Sequence, residues 1–247
     1  SDDWQVIRNF KPTKMEVKEG IEKQINDIRI SLNKISTKNY ETYREIIFND
    51  IQVFMENYSS EEEQKRVVKI IFDIASLNKF YSEIYADLYK ELIQKFPIFE
   101  SELTAFIEVF KENFHNVHYI DPNVDYDGFC NYTKQNDNKK ATVTFICNMV
   151  KKNIVDINAV LDFVIYLQNL LFEYINEDNR SNEVEELNEN FFIFVTQCYT
   201  LFENNEKWEP IKNKIIDFSK KSIKEYKSLT SRSLFKHMDI LDAIKNN

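Results

Sequence analysis

Apolar residues recur along this chain at the spacing of an α-helix almost from end to end. The first series steps by four and three residues, which places its members on one helical face, and it comprises Val17, Ile21, Ile25, Ile28, Leu32 and Ile35. Polar breaks separate further series of the same kind. Together they predict ten helices, at residues 15–35, 38–57, 60–77, 80–95, 98–119, 124–153, 156–177, 183–203, 208–227 and 231–245.

The segment between the first two predicted helices has the pattern of a turn in a helical hairpin. Leu32 and Ile35 end the first apolar series, and Tyr40 begins the second. Ser36 or Thr37 can cap the second helix by accepting from its free amide groups. Ten helices with short links predict an all-α fold of about five antiparallel hairpins, stacked as a right-handed HEAT-like solenoid. A compact helical bundle would give the same pattern.

Composition agrees with a helical fold and disfavours several classes of site. Only 2 Gly and 4 Pro occur in 247 residues, too few for the many tight turns of a β-sandwich or for glycine-built phosphate loops. Neither the Walker nor the Rossmann glycine motif is present, so we expect no cofactor. No apolar segment is long enough to cross a membrane and no signal-peptide pattern opens the chain. We therefore expect a cytoplasmic monomer without membrane contact.

Cysteine and histidine residues do not form a recognisable catalytic or metal-binding pattern. Cys130, Cys147 and Cys198 are widely spaced and fall on apolar series, where a free cysteine acts as a small hydrophobic residue. His115 and His118 are three residues apart, but no cluster of further metal ligands accompanies them. We therefore expect no catalytic residues, no cofactor-binding residues and no metal site.

The predicted ninth helix is markedly basic in a chain whose formal net charge is -9. Its lysines are Lys212, Lys214, Lys220, Lys221, Lys224 and Lys227. They alternate with apolar residues, among them Ile211, Ile215 and Ile223, as a solvated helix face alternates with a buried one. A solvated face is the favoured interpretation. The alternative is weak contact with RNA or another negatively charged partner, since a basic stripe can follow a phosphate backbone.

Residues 1–14 form a short tail outside the helical pattern. Trp4 and Phe10 belong to no apolar series. A large aromatic residue in such a tail either folds back over the first hairpin or contacts a partner.

Four segments, in order along the chain, resemble the middle domain of eukaryotic translation initiation factor 4G. The sequence RISLNKISTKNY, from Arg29 to Tyr40, resembles its first hairpin, and TSRSLFKHMDILD, from Thr230 to Asp242, resembles the start of its final helix. Lys69 to Leu88 is similar to the second repeat, and Ala141 to Val155 to the third. The resemblance implies a single HEAT-type middle domain over residues 15–247.

Middle domains of that family are scaffolds that bind and activate a DEAD-box RNA helicase of the initiation factor 4A type. The resemblance implies a role in translation initiation without enzyme activity. The residues expected to contact the partner are Trp4, Phe10, Lys11, Asn78, Lys79, Phe80, Lys139, Lys140, Arg232, Phe235 and Asp239. Phe80 and Phe235 have an alternative role as core residues, and Arg232 with Asp239 as a surface ion pair.

Other functions fit parts of the same pattern. A middle-domain scaffold of RNA decay, cap binding or splicing would share the fold, although the L-N-K-I sequence favours factor 4G. A helical enzyme with a site of scattered residues is the alternative from another class. The sequence YLQNLLF, from Tyr166 to Phe172, also matches the short motif by which factor 4G binds the cap-binding protein. Since Leu167, Leu170 and Leu171 continue an apolar series, we expect this segment to be buried instead.

Overall fold

The structure is a computed structural model that describes residues 20–245, and it contains no β-strand over that range. The part of α1 within this range covers residues 20–33. The later helices are α2 Tyr40–Asn57, α3 Glu61–Leu77, α4 Ser82–Lys95, α5 Ile98–Glu112, α6 Tyr126–Lys151, α7 Ile157–Tyr174, α8 Ser181–Phe202, α9 Trp208–Ser219 and α10 Ser231–Lys245. The predicted all-α class with ten helices is therefore confirmed for the described residues.

Helices that lie two apart in the chain pack against each other. Among even-numbered helices α4 contacts α6, α6 contacts α8 and α8 contacts α10, while α3 contacts α5 and α7 contacts α9. Lys207 Nζ at the start of α9 lies 2.7 Å from Asp162 Oδ1 near the start of α7, and the Phe218 ring lies 5.6 Å from that of Phe172 near both C-termini. The order of these contacts shows that α7 and α9 run parallel.

The hydrophobic core continues from α1 to α10. In its N-terminal half, Phe72 of α3, Tyr89 of α4 and Phe145 of α6 meet in edge-on ring contacts with centroids 5.9–6.1 Å apart. Edge-to-face geometry suits aromatic rings because their faces are negative and their edges positive. Burying each such ring stabilises the fold by about 1.5–3 kcal/mol. These ring contacts hold α3, α4 and α6 together.

The turn between α1 and α2 forms differently from the sequence-based prediction. Helix α2 begins at Tyr40, and neither Ser36 nor Thr37 caps it. Asn39 orders the turn instead, because its Oδ1 accepts from Ser36 N at 2.7 Å and its Nδ2 donates to Lys34 O at 2.8 Å. The prediction of a Ser or Thr cap was wrong because the short amide side chain closes the turn on itself.

Two predicted helices are shorter in the structure. Predicted to reach residue 119, α5 ends at Glu112 and continues only as a 3₁₀ turn, Asn113–Asn116. Predicted to reach residue 227, α9 ends at Ser219. The segment after α9 packs across the α7–α8 connection, where Ser228 N donates to Ile175 O at 3.0 Å. This tertiary contact replaces the hydrogen bonds of a longer helix.

Candidate partner-binding surface

The loop between α3 and α4 presents Phe80, which is 92% exposed, more than any other large hydrophobic residue among residues 20–245. The loop is ordered by Asn78, whose Oδ1 accepts the backbone N–H groups of Phe80 at 3.1 Å and Tyr81 at 2.9 Å. Tyr81 packs partly against the core. The alternative interpretation of Phe80 as a core residue is therefore wrong.

Ionic contacts connect this loop with α6. Asp137 Oδ1 of α6 lies 3.2 Å from Lys140 Nζ and 3.9 Å from Lys79 Nζ. The pairs are partly exposed, so each contributes at most about 1 kcal/mol to stability. Their geometry nevertheless brings Lys79 and Lys140 to the same side of the molecule as Phe80. We call the loop residues 78–80 together with Lys140 the loop patch.

Lys139, the neighbour of Lys140, has a different environment. Its Nζ lies over the Phe114 ring, 5.0 Å from the ring centre. Burial lowers the pKa of Lys139 to about 8, since a desolvated ammonium is less stable than a neutral amine. Lys139 lines a cavity between α6 and α8 and is not part of the loop patch.

The three predicted residues of α10 share one exposed face. Phe235 is 61% exposed, and Arg232 and Asp239 are exposed one turn before and one turn after it. Arg232 lies within ion-pair distance of Glu185 at 3.5 Å and Glu189 at 3.6 Å, so it pairs with α8 and not with Asp239. The core interpretation of Phe235 and the Arg232–Asp239 pair are both wrong. We call Arg232, Phe235 and Asp239 the α10 patch.

The opposite face of α10 contains a residue that sequence reasoning missed. His237 is fully buried and stacks between Phe218 of α9, at 3.8 Å, and Phe191 of α8, at 5.6 Å. Its Nδ1–H donates to Ser233 O at 3.2 Å. Burial lowers the pKa of His237 to about 3, so the ring is neutral. The series Ser233, His237 and Ile240, spaced by four and three, was the signal for this buried face.

The basic residues near α9 do not form one helical stripe. Lys220, Lys221, Lys224 and Lys227 lie beyond the end of α9, and Ile223, predicted to be buried among them, is exposed. Several contact other side chains of the protein, for example Lys227 Nζ, which lies 2.9 Å from Asp178 Oδ2. The predicted continuous amphipathic helix is wrong for these four of the six lysines because the chain turns there.

The remaining candidates divide between confirmed and corrected positions. Leu167, Leu170 and Leu171 are buried, which confirms the expected burial of the YLQNLLF segment. Cys147 and Cys198 are buried as expected, but Cys130 is exposed, so its assignment to an apolar face was wrong.

Within residues 20–245, no cluster of three metal-ligating side chains occurs and no helix is long and apolar enough to span a membrane. Trp4, Phe10 and Lys11 lie outside the described residues.

The loop patch and the α10 patch lie on different parts of the helical stack. The loop patch is held against α6, and the α10 patch against α8, while α6 and α8 pack on each other. Both patches combine one exposed phenyl ring with charged neighbours. Neither a scan against protein-family models nor a search of curated proteins finds a match to this chain. The resemblance to the middle domain of factor 4G therefore stays a prediction.

Proposed function

We propose that this chain is a scaffold of translation initiation that binds and activates a DEAD-box RNA helicase of the initiation factor 4A type in the cytoplasm. The observation that carries the proposal is Phe80, a large aromatic side chain held in solvent on an ordered loop. Aromatic residues are enriched among the side chains that dominate binding energy. A loop already fixed by Asn78 loses little conformational entropy when it binds.

The fold we propose for this scaffold is a right-handed HEAT-type solenoid of five antiparallel hairpins. Contacts between helices two apart support it, as do hydrogen bonds that join residues one hairpin apart. Arg44 Nε donates to Glu91 Oε2 across 47 residues, and Asn188 Nδ2 donates to Ser233 O across 45. These separations match the HEAT period of about 40–47 residues. The separation rises to 66 residues for Asn148 and Ser82, because this bond joins the end of α6 to the start of α4.

The proposed mechanism is positional. The loop patch and the α10 patch bind the two lobes of the helicase, which move relative to each other during ATP turnover. Contacts to both lobes favour the arrangement that is competent for ATP hydrolysis, and the scaffold supplies no catalytic group. Linking two contacts through one rigid body also makes the second contact intramolecular, so that the intact helicase binds more tightly than either lobe.

RNA-dependent ATP hydrolysis by the helicase tests this proposal. We expect the chain alone to show no hydrolysis and its addition to the helicase to raise the rate. Each isolated lobe should bind more weakly than the whole helicase. Unchanged turnover, or equal affinity for one lobe and for the whole, would contradict the two-lobe mechanism.

A weak RNA contact through the lysines near α9 is a secondary part of the proposal. Lys220 and Lys224 are exposed on the turn that follows α9, which supports access to a phosphate backbone. The acidic total charge of the chain opposes RNA binding elsewhere on the surface. RNA affinity should fall as salt is raised and should fall further in a Lys220→Ala/Lys224→Ala double variant. Affinity that does not respond to either change would exclude this contact.

A further inference from the structure

The first hairpin, formed by α1 and α2, has a side that contacts the next hairpin and a side that is exposed. On the first side, Arg66 Nη2 of α3 lies 2.5 Å from Glu22 Oε1 of α1. Arg44 Nε of α2 lies 2.6 Å from Glu91 Oε2 of α4. Three large apolar side chains of the same hairpin are exposed instead, namely Ile30 at 44%, Ile46 at 40% and Val53 at 39%.

The antiparallel course of α1 and α2 brings these residues to one face. A side-chain carbon at Gly20, the first described residue of α1, would lie 3.1 Å from Tyr58 Oη at the end of α2. Counting along both helices from this contact places three residues of α1 opposite three of α2: Gln24 opposite Val53, Asp27 opposite Asp50 and Ile30 opposite Ile46. Two carboxyl groups therefore lie between exposed apolar side chains.

The polar side chains of this face lack partners in the described part of the chain. Neither Asp27 nor Asp50 lies within ion-pair distance of a basic residue there. Burial raises the pKa of the Asp50 carboxyl group, and the charge of Asp27 raises it further. Gln24 Oε1 is buried and accepts no hydrogen bond from the described residues. Adjacent like charges and a buried acceptor without a donor are unfavourable, so this face suits an occupant that is apolar, rich in N–H groups and positively charged.

The sequence that precedes α1 has this composition. Residues 4–11 read WQVIRNFK, with apolar side chains on both sides of Arg8 and a second basic residue at Lys11. The order resembles that of the hairpin face, where carboxylates lie between apolar residues. A guanidinium group donates to two carboxylate oxygens at once, so Arg8 is complementary to the pair formed by Asp27 and Asp50.

The length of the chain permits this contact. Twelve residues lead from Arg8 to Gly20 and reach up to about 40 Å when extended. Asp27 lies only about 10 Å along α1 from Gly20, at the helical rise per residue. Because the segment is part of the same chain, its effective concentration at the face is high, and a modest affinity is sufficient for binding.

We propose that residues 1–14 bind the exposed face of the first hairpin, with Arg8 paired to Asp27 and Asp50. The apolar neighbours of Arg8 cover the exposed apolar side chains, and an N–H group of the segment donates to Gln24 Oε1. The segment then covers the end of the stack, where no preceding hairpin does so. A second copy of the chain is a poorer occupant, because two such faces would bring their carboxylates together.

Quenching of Trp4 fluorescence by acrylamide in the full chain tests the proposal. The Trp4 signal is the difference between the chain and its Trp4→Phe variant, in which Trp208, 5% exposed, is the remaining tryptophan. We expect Trp4 to be quenched less than N-acetyltryptophanamide at every protein concentration. Quenching equal to that of the free compound would overturn the proposal. Protection that appears only at high protein concentration, or only after helicase is added, would assign Trp4 to a second copy or to the partner and would also overturn it.

Charge reversal tests the pairing of Arg8. Arg8→Glu should lower the ratio of bound to free segment by about tenfold or more, since it replaces a charge-assisted contact with repulsion. Asp50→Lys should have the same effect, and the two changes together should restore part of the protection of Trp4. Unchanged quenching in Arg8→Glu would overturn the pairing. If Asp50→Lys does not fold, Arg8→Glu alone decides.

The apolar part of the contact has a matched control. Ile46→Ser with Val53→Ser should increase the quenching of Trp4, because the segment loses the apolar surface that it covers. Leu201→Ser is the control, since Leu201 is 44% exposed near the end of α8 and belongs to another hairpin. It should leave the quenching unchanged. An equal response to both changes would contradict binding at this face.

Discussion

The two faces of α10 place aromatic side chains in opposite environments. On one face His237 stacks between Phe191 and Phe218 and is fully buried. On the other face Phe235 stands 61% exposed beside Arg232. The difference arises because α8 and α9 both pack on α10 and cover only the side that they contact. Aromatic side chains are enriched among the residues that dominate binding energy in protein interfaces.

The largest expected effect is a difference in stability between variants at the buried face of α10 and variants at its exposed face. Phe218→Ala should lower the free energy of unfolding by about 3–5 kcal/mol, because it removes a buried ring and leaves a cavity. Phe235→Ala should change it by less than about 0.5 kcal/mol, since the ring is mostly in solvent. Chemical denaturation of both variants measures the contrast. Equal losses would show that Phe235 is a packing residue.

Burial also affects the charged side chain of Lys139, whose contribution to stability depends on pH. Since its pKa falls to about 8 on folding, the unfavourable contribution is fully present below pH 8. Between pH 8 and the pKa of about 10.5 in the unfolded chain, the unfolded chain holds the proton and the folded chain does not. The unfavourable contribution therefore decreases as the pH rises through this range. Lys139→Met should therefore stabilise the fold at pH 7 by up to about 3 kcal/mol.

Denaturation series at several pH values check this prediction. The advantage of Lys139→Met over the unmodified chain should shrink between pH 8 and 10.5. A constant advantage would mean that volume, and not charge, determines the effect.

The burial of His237 has a smaller effect on stability, and this effect occurs at acidic pH. Its pKa falls from 6.5 to about 3 on folding, so below pH 6.5 the unfolded chain binds a proton that the folded chain excludes. Stability should decrease as the solution becomes more acidic, by about 2 kcal/mol at pH 5. His237→Phe should remove this part of the pH dependence while keeping an aromatic ring in the stack. An unchanged acid slope in that variant would assign the effect to other groups.

Sequence periodicity predicted the helical class because apolar spacing determines which residues a helix buries. It failed where side chains or distant segments decide the outcome. Asn39 closes the first turn in place of a Ser or Thr cap, and contacts of Ser228 with the α7–α8 connection end α9 early. Whether Phe80 and Phe235 are exposed depends on which helices cover them, and periodicity carries no such information. The burial of Lys139 likewise depends on α8, which begins 42 residues later in the chain.

A further small effect on stability is expected for the ion pairs of the α10 patch. Arg232 lies 3.5 Å and 3.6 Å from Glu185 and Glu189 at an exposed position. Arg232→Ala should lower stability by less than about 1 kcal/mol, because solvent screens such pairs. A loss as large as that of Phe218→Ala would contradict the description of this face as a free surface. The thermal melting transition is sufficient to distinguish the two results.

Helicase affinity of Phe80→Ala tests the central claim most directly. Tyr126→Ala is the matched control, because Tyr126 is also an exposed aromatic residue, 68% exposed, but lies outside both patches. If the loop patch binds the helicase, Phe80→Ala should weaken binding by about tenfold or more, equivalent to about 1.4 kcal/mol, with an unchanged melting transition. Tyr126→Ala should change neither quantity. Wild-type affinity in the Phe80→Ala variant would contradict the assignment of this loop as the partner-binding surface.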